Sequence, residues 1–386
     1  MPPDVTELFD WLVDGAPGAS GPAEVVGRLC PWLVASGVPV WRMAAFVRTL
    51  HPHIMGRSFV WQRGVPQVEV REASYAVLRS EMYAQSPVGW VFAKRQELRV
   101  RLDRPLAFNA AELREWSAAG LTDYVAMPMV FLDGQVHAIT LVTDEPGGFR
   151  EEHLAAIRKI LRPLSRLAEI LALRRTATNL LSAYVGRDAG ERILQGHVQR
   201  GDTEHIRCVV WMSDLRGFTS LSARRESADI ILLLNRVFDC QVPAVDRGGG
   251  QVLKFMGDGM LAIFPIDEGV DASKVAAAAL AAAQEAFSSL DETNLGAGPH
   301  DRLAFGIALH VGEVAYGNIG GIGRLDFTCI GAAVNLAGRI EGLSSQLGKR
   351  LLMSEAFGAL VPESVREVGT FALKGVEEPC AVFEPR

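Results

Sequence analysis

Lysine, cysteine and long apolar runs are all scarce in this sequence of 386 residues. Only six of its 39 basic residues are lysines, so arginine carries most of the positive charge. The five cysteines form no CxxC pair, which argues against a disulfide framework or a zinc module and fits a reducing compartment. The acidic N-terminal stretch lacks the basic region of a signal peptide. No apolar run approaches the roughly 18 residues of a membrane-spanning helix. We therefore expect a cytoplasmic protein without a membrane span.

The remaining composition is that of an ordinary globular protein. Apolar residues make up 49% and charged residues 22%, which excludes a largely disordered chain. The formal net charge of −6 argues against a general binder of nucleic acids or anionic membranes. At about 150 residues per domain, the length predicts two domains.

The first 150 residues predict a mixed α/β domain. A helix is expected near 22–36. Alternating apolar residues from Val125 to Phe131 and from Val136 to Val142 flank Asp133-Gly134, which predicts a β-hairpin. A helix follows, with apolar residues at heptad-like spacing. These residues are Leu154, Ile157, Leu161, Leu164, Ala168 and Leu171. The stripe fits either a helix packed on its own sheet or a helix paired with its copy in a dimer.

The C-terminal half predicts an α+β domain. A nearly continuous apolar strand begins after His205, and helices then alternate with hairpins. Two aspartates occupy the ends of strands in this half. Asp214 ends the apolar strand, and Asp258 lies in a Gly-Asp-Gly turn between two apolar strands. A carboxylate at such a place is costly unless it is paired or binds a metal. The alternatives are a pair of ordinary turn residues and an oxygen-rich site for Mg²⁺ or Mn²⁺.

Polar residues around these aspartates are suited to a nucleotide. A glycine and hydroxyl groups follow Asp214, where the start of a helix would favour a phosphate. Lys254 lies four residues before Asp258. Asn335 and Arg339 are spaced i, i+4 on a predicted helix and therefore share a face.

Five ordered motifs in this half resemble those of the class III nucleotide cyclase catalytic domain, from about Ile206 to the end of the chain. They are SDLRGFTSL at 213–221, VLKFMGDGMLAIF at 252–264, HVGEVAYGNIG at 310–320, FTCIGAAVNLAGRIE at 327–341 and FALKGVEEP at 371–379. The resemblance implies a ferredoxin-like fold, an antiparallel sheet with helices. It also implies a homodimer whose two active sites lie at the interface, with metals held by one protomer and base, ribose and transition state contacted by the other.

The resemblance implies a role for each matching residue. Asp214, Asp258 and the carbonyl of Leu215 would hold two ions, Mg²⁺ or Mn²⁺, per active site. Lys254 and Thr328 would select the purine, Asn335 would orient the ribose and Arg339 would stabilise the transition state. Lys374 would grip the triphosphate, and Phe218 and Thr219 would contact the substrate. Lys254 and Lys374 are thus two of the six lysines in the chain.

The implied reaction converts ATP to 3′,5′-cyclic AMP and pyrophosphate. An ammonium at Lys254 matches the N1 acceptor of adenine and opposes the N1–H donor of guanine. Thr328 is less decisive, because its hydroxyl both donates and accepts, and this variant resembles a bacterial subgroup that responds to bicarbonate. A guanylate cyclase making cyclic GMP and a non-catalytic nucleotide- or ligand-binding signalling protein stay open as alternatives.

The hairpin around Met127-Pro128-Met129, the Gly-Gly-Phe loop and the helix after it resemble the second half of a GAF domain. This resemblance implies a sensor that binds an unknown small ligand, with a ligand-free dimerisation module as the alternative. We therefore expect a GAF-like sensor or dimerisation domain over 1–170, a helical connector over 171–204 and a class III cyclase domain over 205–386.

Overall fold

The computed structural model describes residues 2–52, 54–106, 108, 110–223, 225–298, 301–376 and 378–386. The chain divides into two compact units, Met1–Leu180 and Leu181–Arg386. Each unit contains its own sheet and its own apolar core. No helix within the described ranges is both long enough and apolar enough to cross a membrane.

The first unit contains a six-stranded antiparallel sheet in the order β3-β2-β1-β6-β5-β4. Its strands are β1 (Arg42–Arg48), β2 (Ile54–Gln62), β3 (Glu69–Ser74), β4 (Leu98–Arg101), β5 (Asp123–Val130) and β6 (Val136–Thr143). Its helices are α1 (Thr6–Val13), α2 (Pro22–Ala35), α3 (Tyr75–Leu78), α4 (Glu81–Ala84), α5 (Pro87–Lys94), α6 (Ala111–Ala118) and the start of α7 (Glu151–Val185). The predicted hairpin is confirmed as β5 and β6, and the predicted helix near 22–36 is confirmed as α2.

Strand β1 separates two apolar clusters because successive side chains of a strand point to opposite faces. Met43 and Ala45 join the main core with α1, α2 and α7. Phe46 packs on the opposite side against the cluster that includes residues of α5 and α6. Arg42 and Arg48 share the face of Phe46 because they lie an even number of residues from it.

Helix α7 packs on its own sheet over its first half. Leu154, Ile157 and Leu164 are buried in the main core of the first unit, and Leu161 and Leu171 pack partly against it. The helix then continues without interruption past Pro163 to Val185. A second series of residues at heptad spacing occupies this later part: Ile170, Leu173, Ala177, Leu180 and Tyr184. Ile170, Leu173 and Tyr184 in that series are 64%, 69% and 81% exposed.

The second unit contains an eight-stranded sheet in the order β13-β14-β12-β10-β7-β9-β8, with β11 paired to β10. Its strands are β7 (Thr203–Leu215), β8 (Gln251–Met256), β9 (Gly259–Pro265), β10 (Phe305–Gly321), β11 (Arg324–Ile330), β12 (Leu351–Ser354), β13 (Val365–Phe371) and β14 (Cys380–Pro385). Its helices are α8 (Arg187–Leu194), α9 (Phe218–Ser222), α10 (Ser227–Arg247), α11 (Ala272–Thr293), α12 (Ala332–Gln346) and α13 (Glu355–Gly358), with a short 3₁₀ turn at Pro362–Ser364.

Strand β7 lies inside this sheet between β9 and β10 and is covered on both faces. Val209 and Trp211 belong to the cluster formed with α10 and α11. Cys208 and Val210 belong to the cluster on the opposite face, which includes residues of α12. Burial on both faces explains why this strand is almost continuously apolar and does not alternate. Because β7 is packed on both faces, the position of Asp214 near its end is fixed as well.

Candidate functional site

The structure brings Asp214 and Asp258 together. Asp214 is the second-last residue of β7, and Asp258 lies in the turn between β8 and β9, the neighbour of β7. Antiparallel pairing of β7 with β9 places this turn beside the end of β7. The two carboxyl side chains are close enough for the charge of one to act on the pKa of the other.

The electrostatics of this pair favour a cation. Burial and then the negative charge of Asp258 raise the pKa of Asp214 above its usual range, whereas Arg216 lowers it. Crowded carboxylates of this kind are relieved when a cation binds between them. In the described part of the chain, no group of three or more His, Cys, Asp or Glu residues could hold a metal. A site of two carboxylates completed by substrate phosphates is the arrangement that suits Mg²⁺.

Gly259 makes room for this pair of aspartates. A Cβ at position 259 would lie 2.7 Å from the carbonyl oxygen of Ser213 and 3.3 Å from Oδ1 of Asp214. The approach of β9 to the end of β7 therefore requires glycine at this position. The same residue leaves the Asp214 carboxylate open on the side of the turn.

Sequence reasoning did not find the network of polar side chains that joins the Asp214 loop to helix α12. Nη1 of Arg216 lies 3.0 Å from Oε1 of Glu341, and Nη2 of Arg216 donates to Oγ of Ser344. Glu341 and Ser344 are buried. The ion pair lacks hydrogen-bond geometry at Oε1 of Glu341, which is otherwise without a partner among the described residues. Burial raises the pKa of Glu341 to about 6, although Arg216 acts in the opposite direction.

Gly306, the partner of Asp214 in the β7–β10 ladder, provides the space for this network. A Cβ at position 306 would lie 1.7 Å from Nη2 of Arg216 and 2.8 Å from Oγ of Ser344. The guanidinium therefore passes over the backbone of Gly306 on its way to α12. No side chain at 306 is compatible with the observed position of Arg216.

The other predicted site residues near Asp214 come shortly after it in the chain. Leu215 is buried at the end of β7. Gly217 has a left-handed conformation with φ of 71°, and helix α9 begins at Phe218. Phe218 packs partly against the core of the unit, whereas Thr219 is exposed.

The predicted base-reading residues lie on β8 and β11, two strands that do not pair with each other in the sheet. Nζ of Lys254 on β8 is 3.3 Å from Oδ2 of Asp326 on β11. Thr328 lies two residues further along β11 and therefore on the same face as Asp326. Its hydroxyl is buried and has no hydrogen-bond partner within the described ranges. Sequence reasoning missed Asp326, which brings a carboxylate to the predicted base site.

Helix α12 carries the predicted ribose and transition-state residues on its outer face. Asn335 and Arg339 are exposed, whereas Ala337 and Ile340 are buried against the sheet. No hydrogen bond or ion pair is formed by the side chain of Asn335 or Arg339 with any other described residue. Within one chain, Arg339 therefore forms no ion pair with Asp214. Lys374 lies in an exposed turn after β13, also away from any partner within the described ranges.

Comparison with known families identifies this unit. Residues 202–381 match the family model of the adenylate and guanylate cyclase catalytic domain. This part of the chain is a class III nucleotide cyclase domain. The chain is 33% identical over 193 residues to an adenylate cyclase of Anabaena cylindrica, an alignment of 49% of this chain and 38% of that protein. It is 31% identical over 193 residues to the terminal-differentiation specific adenylate cyclase of Dictyostelium discoideum, an alignment of 49% of this chain and 9% of that protein.

The alignments cover much less than two thirds of these two cyclases. Among solved structures, a bacterial light-regulated adenylyl cyclase aligns with 68% of this chain and 86% of its own, at a TM-score of 0.50 and 19% identity. That similarity concerns the fold alone. It supports the class III cyclase fold, with its α+β content, for the second unit. The GAF-like interpretation of the first unit stays a prediction.

Proposed function

We propose that the chain is an adenylate cyclase that converts ATP to 3′,5′-cyclic AMP and pyrophosphate as a homodimer. The observation that carries the proposal is the separation of two groups of residues within one chain. Asp214 and Asp258 lie at the end of β7 and in the adjoining β8–β9 turn, whereas Asn335 and Arg339 lie on the exposed face of α12. A second copy is needed to bring both groups to one substrate.

In the proposed reaction, the ribose 3′-oxygen forms a bond to the α-phosphorus, loses its proton and displaces pyrophosphate. Asp214 and Asp258 would hold Mg²⁺ or Mn²⁺, two ions per site, which supply charge stabilisation and lower the pKa of the attacking hydroxyl. Arg339 of the second copy would donate to the oxygens on which negative charge develops. Asn335 would fix the ribose, and Lys374 would bind the triphosphate. Positioning and electrostatics then suffice without a protein nucleophile.

Lys254 supports ATP as the substrate. Its ammonium donates only, which matches the N1 acceptor of adenine. The buried hydroxyl of Thr328 has no partner among the described residues and is free to bond the purine edge. Because Lys254 is one-third exposed and its contact with Asp326 is 3.3 Å long, a base can displace that contact at small cost.

Asp326 favours a second candidate, a guanylate cyclase. A carboxylate accepts hydrogen bonds from the N1–H and 2-amino groups of guanine, which adenine does not present. Asp326 is 58% exposed beside Lys254 and is therefore accessible to a base.

The exposed apolar series on α7, from Ile170 to Tyr184, supports the dimer. Five residues at heptad spacing form the kind of seam that two copies of a helix bury against each other. The predicted stripe from Leu154 to Leu171 packs on its own sheet. The dimer contact would instead be made by this second series, which sequence reasoning did not single out. Through this helix the first unit would regulate the second.

Purified protein incubated with ATP or GTP, in Mg²⁺ or Mn²⁺, tests the substrate. We expect cyclic AMP from ATP, and no product from D214N, which keeps the side-chain volume and loses the charge. Cyclic GMP without cyclic AMP would replace the first candidate with the second. No product with either nucleotide, from protein that still binds both, would indicate a non-catalytic signalling protein.

A bicarbonate response is proposed on the basis of Thr328 and is tested separately. Cyclase rates are compared with and without bicarbonate at fixed pH and ionic strength. Stimulation in the native protein that is lost in T328A supports the proposal, and identical rates remove it.

A further inference from the structure

The first unit contains a cavity of about 530 Å³ between the sheet and helices α3 to α6. Its volume lies within the range of small-molecule sites in proteins. Aromatic side chains form much of its wall, including Phe46 of β1, Phe92 of α5 and Trp116 of α6. A flat apolar molecule would find aromatic surfaces on several sides.

The charge of the wall is positive. Five arginines and three glutamates line the cavity within the described ranges. Two of the arginines are neutralised locally, because Arg57 pairs with Glu72 and Arg71 pairs with Glu69. Arg42 and Arg48, at the two ends of β1, form no ion pair with any described residue.

Arg42 is the stronger indication of a ligand. It is only 8% exposed, and its guanidinium lies 5.0 Å from the centre of the Trp116 ring. Burial lowers the pKa of Arg42, although the charge of Glu112 acts in the opposite direction. An arginine with no carboxylate in contact is costly at this depth. An anion in the cavity would remove that cost.

Arg48 and Tyr83 each place at the cavity a hydrogen-bond donor that has no acceptor among the described residues. The guanidinium of Arg48 stacks 4.6 Å from the centre of the Phe92 ring, and its Nε is buried with no hydrogen-bond partner in the described part of the chain. The hydroxyl of Tyr83 is also buried and without a partner there. Buried donors of this kind are rare, because each loses its bonds to water. Two such groups, beside an Arg42 that forms no ion pair with any described residue, indicate a missing acceptor.

We infer that this cavity is a binding site for a small organic anion with a flat aromatic body. The acidic group would accept hydrogen bonds from Arg42 or Arg48, and the body would lie against Phe46, Phe92 and Trp116. The six-residue interval on β1 separates the Cα atoms of the two arginines by about 20 Å, so the long side chains reach towards the cavity from its two ends. The site does not depend on the cyclase reaction.

Isothermal titration calorimetry on the full chain, without nucleotide or metal, tests this site with three probes: benzoate, 2-naphthoate and the neutral 2-naphthalenemethanol. We expect 2-naphthoate to bind at least about tenfold more tightly than the alcohol, because only the acid forms charge-assisted hydrogen bonds. At least one of R42M and R48M should remove most of that difference. R104Q, which changes an exposed arginine outside the cavity, should leave it unchanged.

Thermal unfolding separates a ligand site from a structural role. Arg42 has no ion-pair partner within the described ranges, so R42M should not lower the Tm of the free protein, whereas a structural arginine would. Equal affinity for the acid and the alcohol would overturn the inference. So would absence of binding by all three probes, or loss of binding only in variants whose Tm falls.

Discussion

Arg216 and Glu341 form an ion pair of 3.0 Å that connects the loop after Asp214 to helix α12. Arg216 lies two residues after the predicted metal ligand, and Glu341 lies two residues after the predicted transition-state arginine, Arg339. The pair therefore joins the two parts of the predicted active site through the interior of one protomer. Four of the predictions below concern this connection.

Replacing Arg216 should weaken metal binding. The guanidinium lowers the pKa of Asp214, so R216Q should move the acidic limb of the pH–rate profile to higher pH. The Mg²⁺ concentration for half-maximal rate should rise as well. R225Q is the matched control, because Arg225 pairs with Asp301 at the surface of the same unit. A lower rate in R216Q with an unchanged pH profile and Mg²⁺ requirement would contradict this role.

Alanine at 306 should reproduce the effect of R216Q while the arginine is still present. The added Cβ would occupy the position of the Arg216 guanidinium, which is the flexible end of its side chain and can move away. G306A should therefore fold, show a Tm lowered by a few degrees, and require more Mg²⁺. G342A on α12 is the control, since nothing lies within 4 Å of the added Cβ. If folded G306A required no more Mg²⁺ than the wild type, the position of Arg216 over Gly306 would have no role in metal binding.

Neutralising Glu341 should change how stability depends on pH. Its folded-state pKa of about 6 lies above the usual value of 4.5, so the folded protein binds the proton more tightly than the unfolded chain. The stability gained from this proton is present below pH 4.5 and is lost as the pH rises through about 6. In thermal unfolding, the Tm of E341Q should therefore rise relative to the Tm of the wild type as the pH increases from 4.5 to about 6. A constant difference would show that the Glu341 pKa is not raised.

Two inactive variants should complement each other if the site is shared. D214A and R339A should each lose at least about a hundredfold in rate. In their heterodimer one site combines both defects and the other is intact, so random co-assembly should restore about a quarter of the wild-type activity. Co-expression with two different affinity tags isolates the mixed dimer for assay. An inactive mixed dimer of confirmed composition would count against sites formed by both copies.

The contact between Lys254 and Asp326 should distinguish the two substrate candidates. If Lys254 reads adenine, D326N frees its ammonium and lowers the KM for ATP, by less than about fivefold because the pair is exposed. If Asp326 reads guanine, the same variant loses GTP turnover. D301N, at an exposed aspartate in an ion pair elsewhere, serves as the control. An identical KM in wild type and D326N for both nucleotides would remove Asp326 from the base site.

Local patterns in the sequence were sufficient for the elements that carry their own periodicity. The β5–β6 hairpin, the strands on either side of the Gly-Asp-Gly turn and the helix with Asn335 and Arg339 on one face are all confirmed. Each depends on residues that are near neighbours in the chain. The bounds of the helical connector, 171–204, stay a prediction, and α7 runs across residue 171 without a break to Val185. A heptad stripe shows neither where burial ends nor where the helix ends.

Long-range contacts left no local signal. Arg216 and Glu341 are separated by 125 positions in the chain, and Lys254 and Asp326 by 72. The charge of each residue alone is typical of any solvated surface. Only the pairing of β7 with β10 and the packing of α12 on them show that Arg216 reaches Glu341. In the same way, the uncompensated charge of Arg42 depends on a cavity that several separate segments enclose.

In a dimer of the proposed kind, the two opposite faces of helix α12 would serve different protomers. Glu341 pairs with Arg216 of its own protomer, whereas Arg339 is exposed and would serve the site of the other. A helix transmits small displacements along its length as a nearly rigid rod. Nucleotide bound between Asp214 and Asp258 would therefore shift the arginine that serves the second site. Such a dimer should bind its two nucleotides with unequal affinity, and R216Q should make the two binding events independent.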